Sequence, residues 1–157
     1  MKNLDHFDLR ILQELQTDAE LSMQELGERV GLSHTPCWRR MKRLQEAGII
    51  RQRVTLLDAE QLDLSVNVFV QVALARQDED ALNDFEDAVQ KVPEIVECYT
   101  VSGDKDFLLR VVVSDVSAYE RLLKRTLVHL PAVGNLSSTF ALRQVKYTTT
   151  LPLRRSG

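Results

Sequence analysis

Between Ser33 and Arg53 the chain sets six cationic side chains against one acid. Arg39, Arg40, Lys42, Arg43, Arg51 and Arg53 are opposed only by Glu46, so the stretch carries +5 while the 157-residue chain carries -3. A local positive excess on an acidic molecule is the footprint of a polyanion partner. A second polar cluster, GDKD at 103–106, reads first as an acidic turn. Catalytic chemistry is harder to find. His6, His34 and His129 have no metal-ligand spacing with Cys, Asp or Glu. A Gly-rich phosphate loop, a nucleophile elbow and a zincin pattern are all missing from the sequence. The expectation is a binding protein with no metal and no cofactor, and not an enzyme.

The cations need an element to present them. Residues 4–16 read as a first helix, with Asp5 as N-cap, Asp8 favourable in the first turn, and Leu4 and Leu9 as a hydrophobic staple. Ser22 and Glu25 form an S-x-x-E capping box that opens a second helix, and Gly31 ends it. A third helix starts near Ser33 or Thr35, takes Pro36 in its first turn and stops at Gly48. At about 100° per residue, Cys37, Met41 and Leu44 share one side. Thr35, Arg39 and Lys42 lie opposite, flanked by Trp38 and Arg43. This is the pattern of a helix-turn-helix, whose second helix enters the major groove of double-stranded DNA. The residues expected at DNA are Ser33, His34, Thr35, Trp38, Arg39, Lys42 and Arg43. Arg51 and Arg53 join them on a strand, IIRQRVTLL, that serves as a small wing.

Charge partition separates a second unit. Residues 1–53 hold 9 bases and 8 acids, whereas residues 54–150 hold 9 bases and 15 acids. Alternating valines predict a strand over 65–75, and DED predicts a helix start at 78 for a helix to 91. Strands follow from Ile95 and from Phe107, then a helix over 116–130 and a long strand over 135–147. The order β-α-β-β-α-β is the ferredoxin-like split βαβ arrangement, with two helices on one face of a four-stranded antiparallel sheet. The bare face, with apolar residues of its own, suits a second copy of the chain. Cys37 and Cys98 read as buried, isolated thiols rather than a disulfide pair. A segment of about 18 apolar residues, the length that crosses a membrane, is lacking, and the N-terminus has no signal-peptide stretch, so the expected location is cytoplasmic.

Three stretches in this order, LDHFDLRILQELQTDAELSMQELGERVGLS, RRMKRLQEAGII and VSGDKDFLLRVVVSD, resemble the Lrp/AsnC (leucine-responsive/asparagine-regulator) family of bacterial transcription regulators along the whole chain. TPCWRRMKRL and QVKYTTTLPL look like the branch that includes cysteine-detoxification regulators. The resemblance implies an α+β chain: a winged helix-turn-helix at 1–53, a linker strand at 54–64, a ferredoxin-like effector-binding and oligomerisation domain at 65–150, and a tail at 151–157. It implies a homodimer that assembles into a tetramer, octamer or larger set, with an amino acid bound between dimers. The family's glycine–aspartate loop maps to Gly103, Asp104 and Asp106, with Lys105 where the family usually has an aromatic. Ser137 and Thr139 map to the same pocket. Cysteine, leucine and methionine are the candidate effectors. The alternative is an architectural DNA-binding protein without a ligand.

Overall fold

The computed structural model describes residues 4–153. The chain divides into two compact units. One runs to Leu56 and is joined again by the segment from Lys146 onward; the other is Leu57–Val145.

The first unit is built on three helices: α1 (His6–Thr17), α2 (Met23–Val30) and α3 (His34–Glu46). Asp5 and Asp8 form a reciprocal capping box on α1, and Ser22 and Glu25 form another on α2. Gly31 takes a left-handed φ of 79° and closes α2 three residues before α3 begins. Ile11, Leu12, Leu26, Val30, Cys37, Met41 and Leu44 are buried together. Burial raises the pKa of Cys37, so the thiol is protonated and inert.

The expected wing strand does not form. Ile49 and Ile50 fold back on the end of α3, where both N–H groups donate to the Leu44 carbonyl at 3.0 and 3.2 Å. Their side chains pack on the helical core. Residues 51–58, which include Arg51, Arg53 and the start of the proposed linker strand, have no regular secondary structure and lie in no sheet. A strand needs a neighbour to take its N–H and C=O groups, and this unit contributes none among the described residues. A 3-10 turn, Glu60–Leu62, occupies the rest of the linker.

The second unit contains β1 (Val66–Leu74), α4 (Glu79–Val89), β2 (Ile95–Thr100), β3 (Phe107–Val113), α5 (Val116–Arg125) and β4 (Val133–Phe140). The strands order β2-β3-β1-β4, all antiparallel neighbours, as a ferredoxin-like sheet requires. Val68, Val70 and Val72 of β1 and Phe107, Leu109, Val111 and Val113 of β3 face the helices. There they meet Phe85 and Val89 of α4 and Tyr119 and Leu122 of α5. Two elements differ from the sequence expectation. The second helix ends at Arg125 rather than at 130 because Thr126 leaves helical geometry, and Pro131 holds Leu130 extended. The last strand starts at Val133 and stops at Phe140 rather than running to 147. Its only neighbour, β1, begins at Val66, and the final bond runs from Ala141 N–H to the Asn67 carbonyl.

Beyond that point the chain returns to the first unit. Gln16 of α1 accepts from the Leu151 N–H at 2.6 Å and donates to the Leu151 carbonyl at 3.4 Å. Leu153 packs on the helical core. The described part of the expected tail is therefore integral to the three-helix unit; Arg154 and Arg155 lie outside the described residues. Gln16→Ala removes both bonds and is expected to lower the stability of this unit by about 1 kcal/mol. Native-state hydrogen exchange should show the Leu151 amide losing protection, with the sheet amides unchanged.

Candidate nucleic-acid interface and effector loop

The cations of α3 are not equivalent. Arg40 Nη1 donates to Asp5 at 2.5 Å and to Asp8 at 2.9 Å, and Arg43 Nη2 donates to Asp8 at 2.5 Å. Asp8 is fully buried, and its second oxygen also accepts from the Asp5 N–H at 3.1 Å. One pair of arginines is thus tied to the start of α1. Partial burial works against ionisation of Asp5, but hydrogen bonds from Arg40 and from the Asp8 N–H outweigh it. They hold this carboxyl below the usual carboxylate range.

Arg39 and Lys42 are free of that anchor. Both are exposed. Arg39 makes no hydrogen bond or ion pair among the described residues. Lys42 has only a loose 3.7 Å pairing with Glu46 and stands over the Trp38 ring, 5.3 Å from its centroid. Exposed ion pairs of that kind contribute little and give way to a better partner. Ser33 caps the start of α3 without a side-chain hydrogen bond, so its hydroxyl and the first N–H groups are open to an anion. His34 and Thr35 are exposed beside it. Two shallow recesses flank this ridge. Pro36, Arg39, Arg40 and Arg43 line the smaller, about 300 Å³. The larger, about 490 Å³, has Trp38, Lys42 and Arg53 in its wall. Arg53 reaches it from the segment after α3, with Nη2 3.7 Å from the Met41 sulfur. Arg51 is exposed on the same segment.

In the second unit the residues expected at an effector fall into two groups. Gly103, with φ 117°, Asp104 and Asp106 belong to the β2–β3 loop. Asp104 is almost fully exposed and lies 3.4 Å from Lys105 Nζ. Asp106 is engaged: it accepts from the Leu74 N–H at 2.7 Å and from Gln77 at 2.8 Å, and so staples the end of β1 to the loop. Ser137 and Thr139 are exposed on β4, opposite Gln71 and Phe69 of β1. No hydrogen bond or ion pair joins the two groups among the described residues. The helix-free face that carries Ser137 and Thr139 has a network the sequence did not reveal. Arg110 donates to Glu97 at 2.6 Å and to Asn67 at 3.1 Å, and Tyr99 donates to Glu97 at 3.0 Å. Burial, with Glu86 nearby, raises the pKa of Cys98 and keeps it a thiol. Among the described residues no cluster of His, Cys, Asp or Glu suits a metal, and no helix is long and apolar enough to cross a membrane.

A three-helix unit with an outward cationic ridge, followed by a βαββαβ unit, defines a helix-turn-helix DNA-binding regulator with an attached ligand domain. Comparison with known proteins agrees on both halves. Residues 4–51 match winged helix-turn-helix DNA-binding domains, and residues 67–151 match the Lrp/AsnC ligand binding domain. The chain belongs to the Lrp/AsnC family of transcription regulators, which are not enzymes. It is 44% identical over 153 residues to the leucine-responsive regulatory protein of Escherichia coli, covering 98% of this chain and 93% of that one. Its identity to the glutamate uptake regulatory protein of Zymomonas mobilis is 41% over the same length and coverage. A transcriptional regulator of Neisseria meningitidis, crystallised as its L-methionine complex, superposes with a TM-score of 0.90. It is 40% identical and is covered over 97% of its length, against 96% of this chain.

Sequence reading missed Asp8 and Arg40 as positioning residues. The available signal was D-x-x-D at Asp5–Asp8, a capping box whose outer carboxylate oxygens remain free for a second helix. Asp8→Ala removes the partner that Arg40 and Arg43 share and half of the α1 capping box, leaving Arg40 to Asp5 and Arg43 to solvent, and is expected to cost about 1–3 kcal/mol, read by urea denaturation of the first unit. The depressed pKa of Asp5 fixes the sign of the pH effect. Its contribution is complete above the unfolded value of about 3.9 and is lost as pH falls through the lower folded value. Asp5→Asn should therefore flatten the acid limb of the stability profile and leave the shape above pH 6 unchanged.

Proposed function

We propose that this regulator binds a specific DNA sequence through α3 and that a small amino acid, held at the β2–β3 loop, changes its DNA occupancy. The observation that carries the first half is the division of labour among the arginines. Arg40 and Arg43 are engaged with Asp5 and Asp8, while Arg39 and Lys42 face outward without comparable partners. Ser33, His34 and Thr35 lead the helix into the groove, Trp38 and Arg43 flank the ridge, and Arg51 and Arg53 contact the backbone beside it. Arg39→Ala should cost about 1–3 kcal/mol of specific binding if it reads a base edge. If Arg51 contacts phosphate, Arg51→Ala should weaken all sequences alike and flatten the salt slope by about one unit. Unchanged binding by both variants in titrations over a salt series would remove the assignment.

The effector is an amino acid with a small or apolar side chain, with methionine, leucine and cysteine the candidates. The methionine complex of the Neisseria regulator and the name of the leucine-responsive relative support this class. Asp104 is the available acceptor for the ligand ammonium, because the Asp106 carboxylate is occupied by Leu74 and Gln77. Amides around Gly103 suit the carboxylate, and Ser137 and Thr139 complete the site from β4 when copies of the chain assemble. The helix-free sheet face pairs with a second copy, and dimers build larger assemblies in the cytoplasm. Phe69 and Tyr99 on that face are 39% and 55% exposed. Its central arginine is already paired within the chain, so covering the face strands no charge.

A thermal-shift screen with single amino acids should show one ligand raising the unfolding midpoint. Asp104→Ala should abolish that shift and leave ligand-free DNA binding intact. The effect on DNA affinity is bounded by the ligand's preference between assemblies, typically about 1–3 kcal/mol. Retained ligand affinity in Asp104→Ala would move the site elsewhere. A chain that binds DNA with no amino-acid response would instead be the architectural protein.

A further inference from the structure

Trp38 is out of keeping with its surroundings. The other residues on the outward ridge of α3 are Thr35, Arg39, Lys42 and Glu46, all polar, yet the indole among them is 46% exposed. A single exposed aromatic is ordinary; an exposed aromatic that joins neighbouring apolar side chains in one recess rimmed by polar groups marks a contact site. Here the indole is one wall of the recess shared with Met23, Met41, Lys42, Gln45 and Arg53. The two methionines and the ring make an apolar floor. Lys42 Nζ stands over the ring, and Arg53 leans on the Met41 sulfur.

The hydrogen-bonding inventory of this recess is lopsided. The indole N–H, the ammonium and the guanidinium are donors only; Gln45 both donates and accepts, and the Met41 sulfur, a weak acceptor, is taken by Arg53. A fitting occupant is apolar on one side, a hydrogen-bond acceptor on the other, and close to negative charge. Among the bases seen from the major groove, thymine sets a C5 methyl beside the O4 acceptor. Guanine shows acceptors without an apolar group. Cytosine and adenine each present an amino donor to a set of donors. The phosphates flanking the base supply the negative charge.

We propose that this recess reads thymine: Trp38 packs on the C5 methyl, while Lys42 and Arg53 engage O4 and the neighbouring phosphate. The proposal rests on α3 entering the major groove and deepens that reading by naming the group recognised. Full-length protein is first used to select duplexes from a random-sequence library. Each thymine of the recovered duplex is then replaced singly by deoxyuridine, which deletes the methyl and keeps O4. At one thymine per half-site the replacement should weaken wild-type binding about three- to five-fold, the worth of one buried methyl group. Trp38→Ala should bind the thymine and uracil duplexes equally, with a circular dichroism melt matching the wild type. Lys42→Ala should keep the discrimination and flatten the salt slope by about one unit. A uracil scan with no sensitive position in the wild-type protein overturns the proposal without recourse to any variant. Discrimination that survives in Trp38→Ala overturns it as well. A library that yields no duplex at all overturns the DNA-reading assignment itself, which separates the two failures.

Discussion

The DNA-binding unit turns on one buried carboxylate. Among the described residues Asp8 is the one buried charged side chain, and it is satisfied by Arg40, Arg43 and the Asp5 N–H. Burying an ion is tolerable only with such partners, and removing one leaves an uncompensated charge. The pairing fixes the rotation of α3 about its own axis. With Arg40 and Arg43 held toward α1, Cys37, Met41 and Leu44 point into the core. Thr35, Arg39 and Lys42 then have nowhere to face but outward. The same carboxylates cap α1, so the initiation of α1 and the placement of α3 share one interaction.

This arrangement resolves why an acidic protein concentrates bases in one segment. Part of the positive charge neutralises the cap of α1 and is structural. The rest is left weakly paired on an exposed ridge, where a polyanion gains most from it. Trp38 and the methionines beside it add an apolar component to a surface that would otherwise attract any phosphate backbone. Charge alone gives affinity without sequence preference; shape and donor pattern supply the preference.

The sheet unit follows another rule. Alternation in β1 and β3 sends valines, leucines and Phe107 toward α4 and α5, and sends Asn67, Phe69, Arg110 and Leu108 to the other face. There the Glu97–Arg110–Asn67 network spans three neighbouring strands and couples their register. Asp106 ties the loop to the end of β1, which leaves Asp104 as the carboxylate of that loop open to solvent. Two acids two residues apart thereby have different roles.

Periodicity, caps and turns determined the elements. Asp5, the Ser22–Glu25 box, Gly31 and the alternation over 65–75 are local signals, and local hydrogen bonding and side-chain spacing are what they encode. The sides of α3 were legible for the same reason, because 100° per residue is a property of the helix and not of its surroundings. What the tertiary structure decided is wherever a partner distant in sequence was required. Strand endings fall into this class: β4 stops where β1 begins, and residues 51–58 stay outside any sheet because no neighbour meets them. Arg39 and Arg40 are adjacent and identical, yet one is free and the other tied to Asp8, 32 residues away. Asp104 and Asp106 differ likewise through Leu74 and Gln77. Whether a side chain is available for chemistry depends on which long-range partner claims it first, and no local pattern in the sequence carries that information.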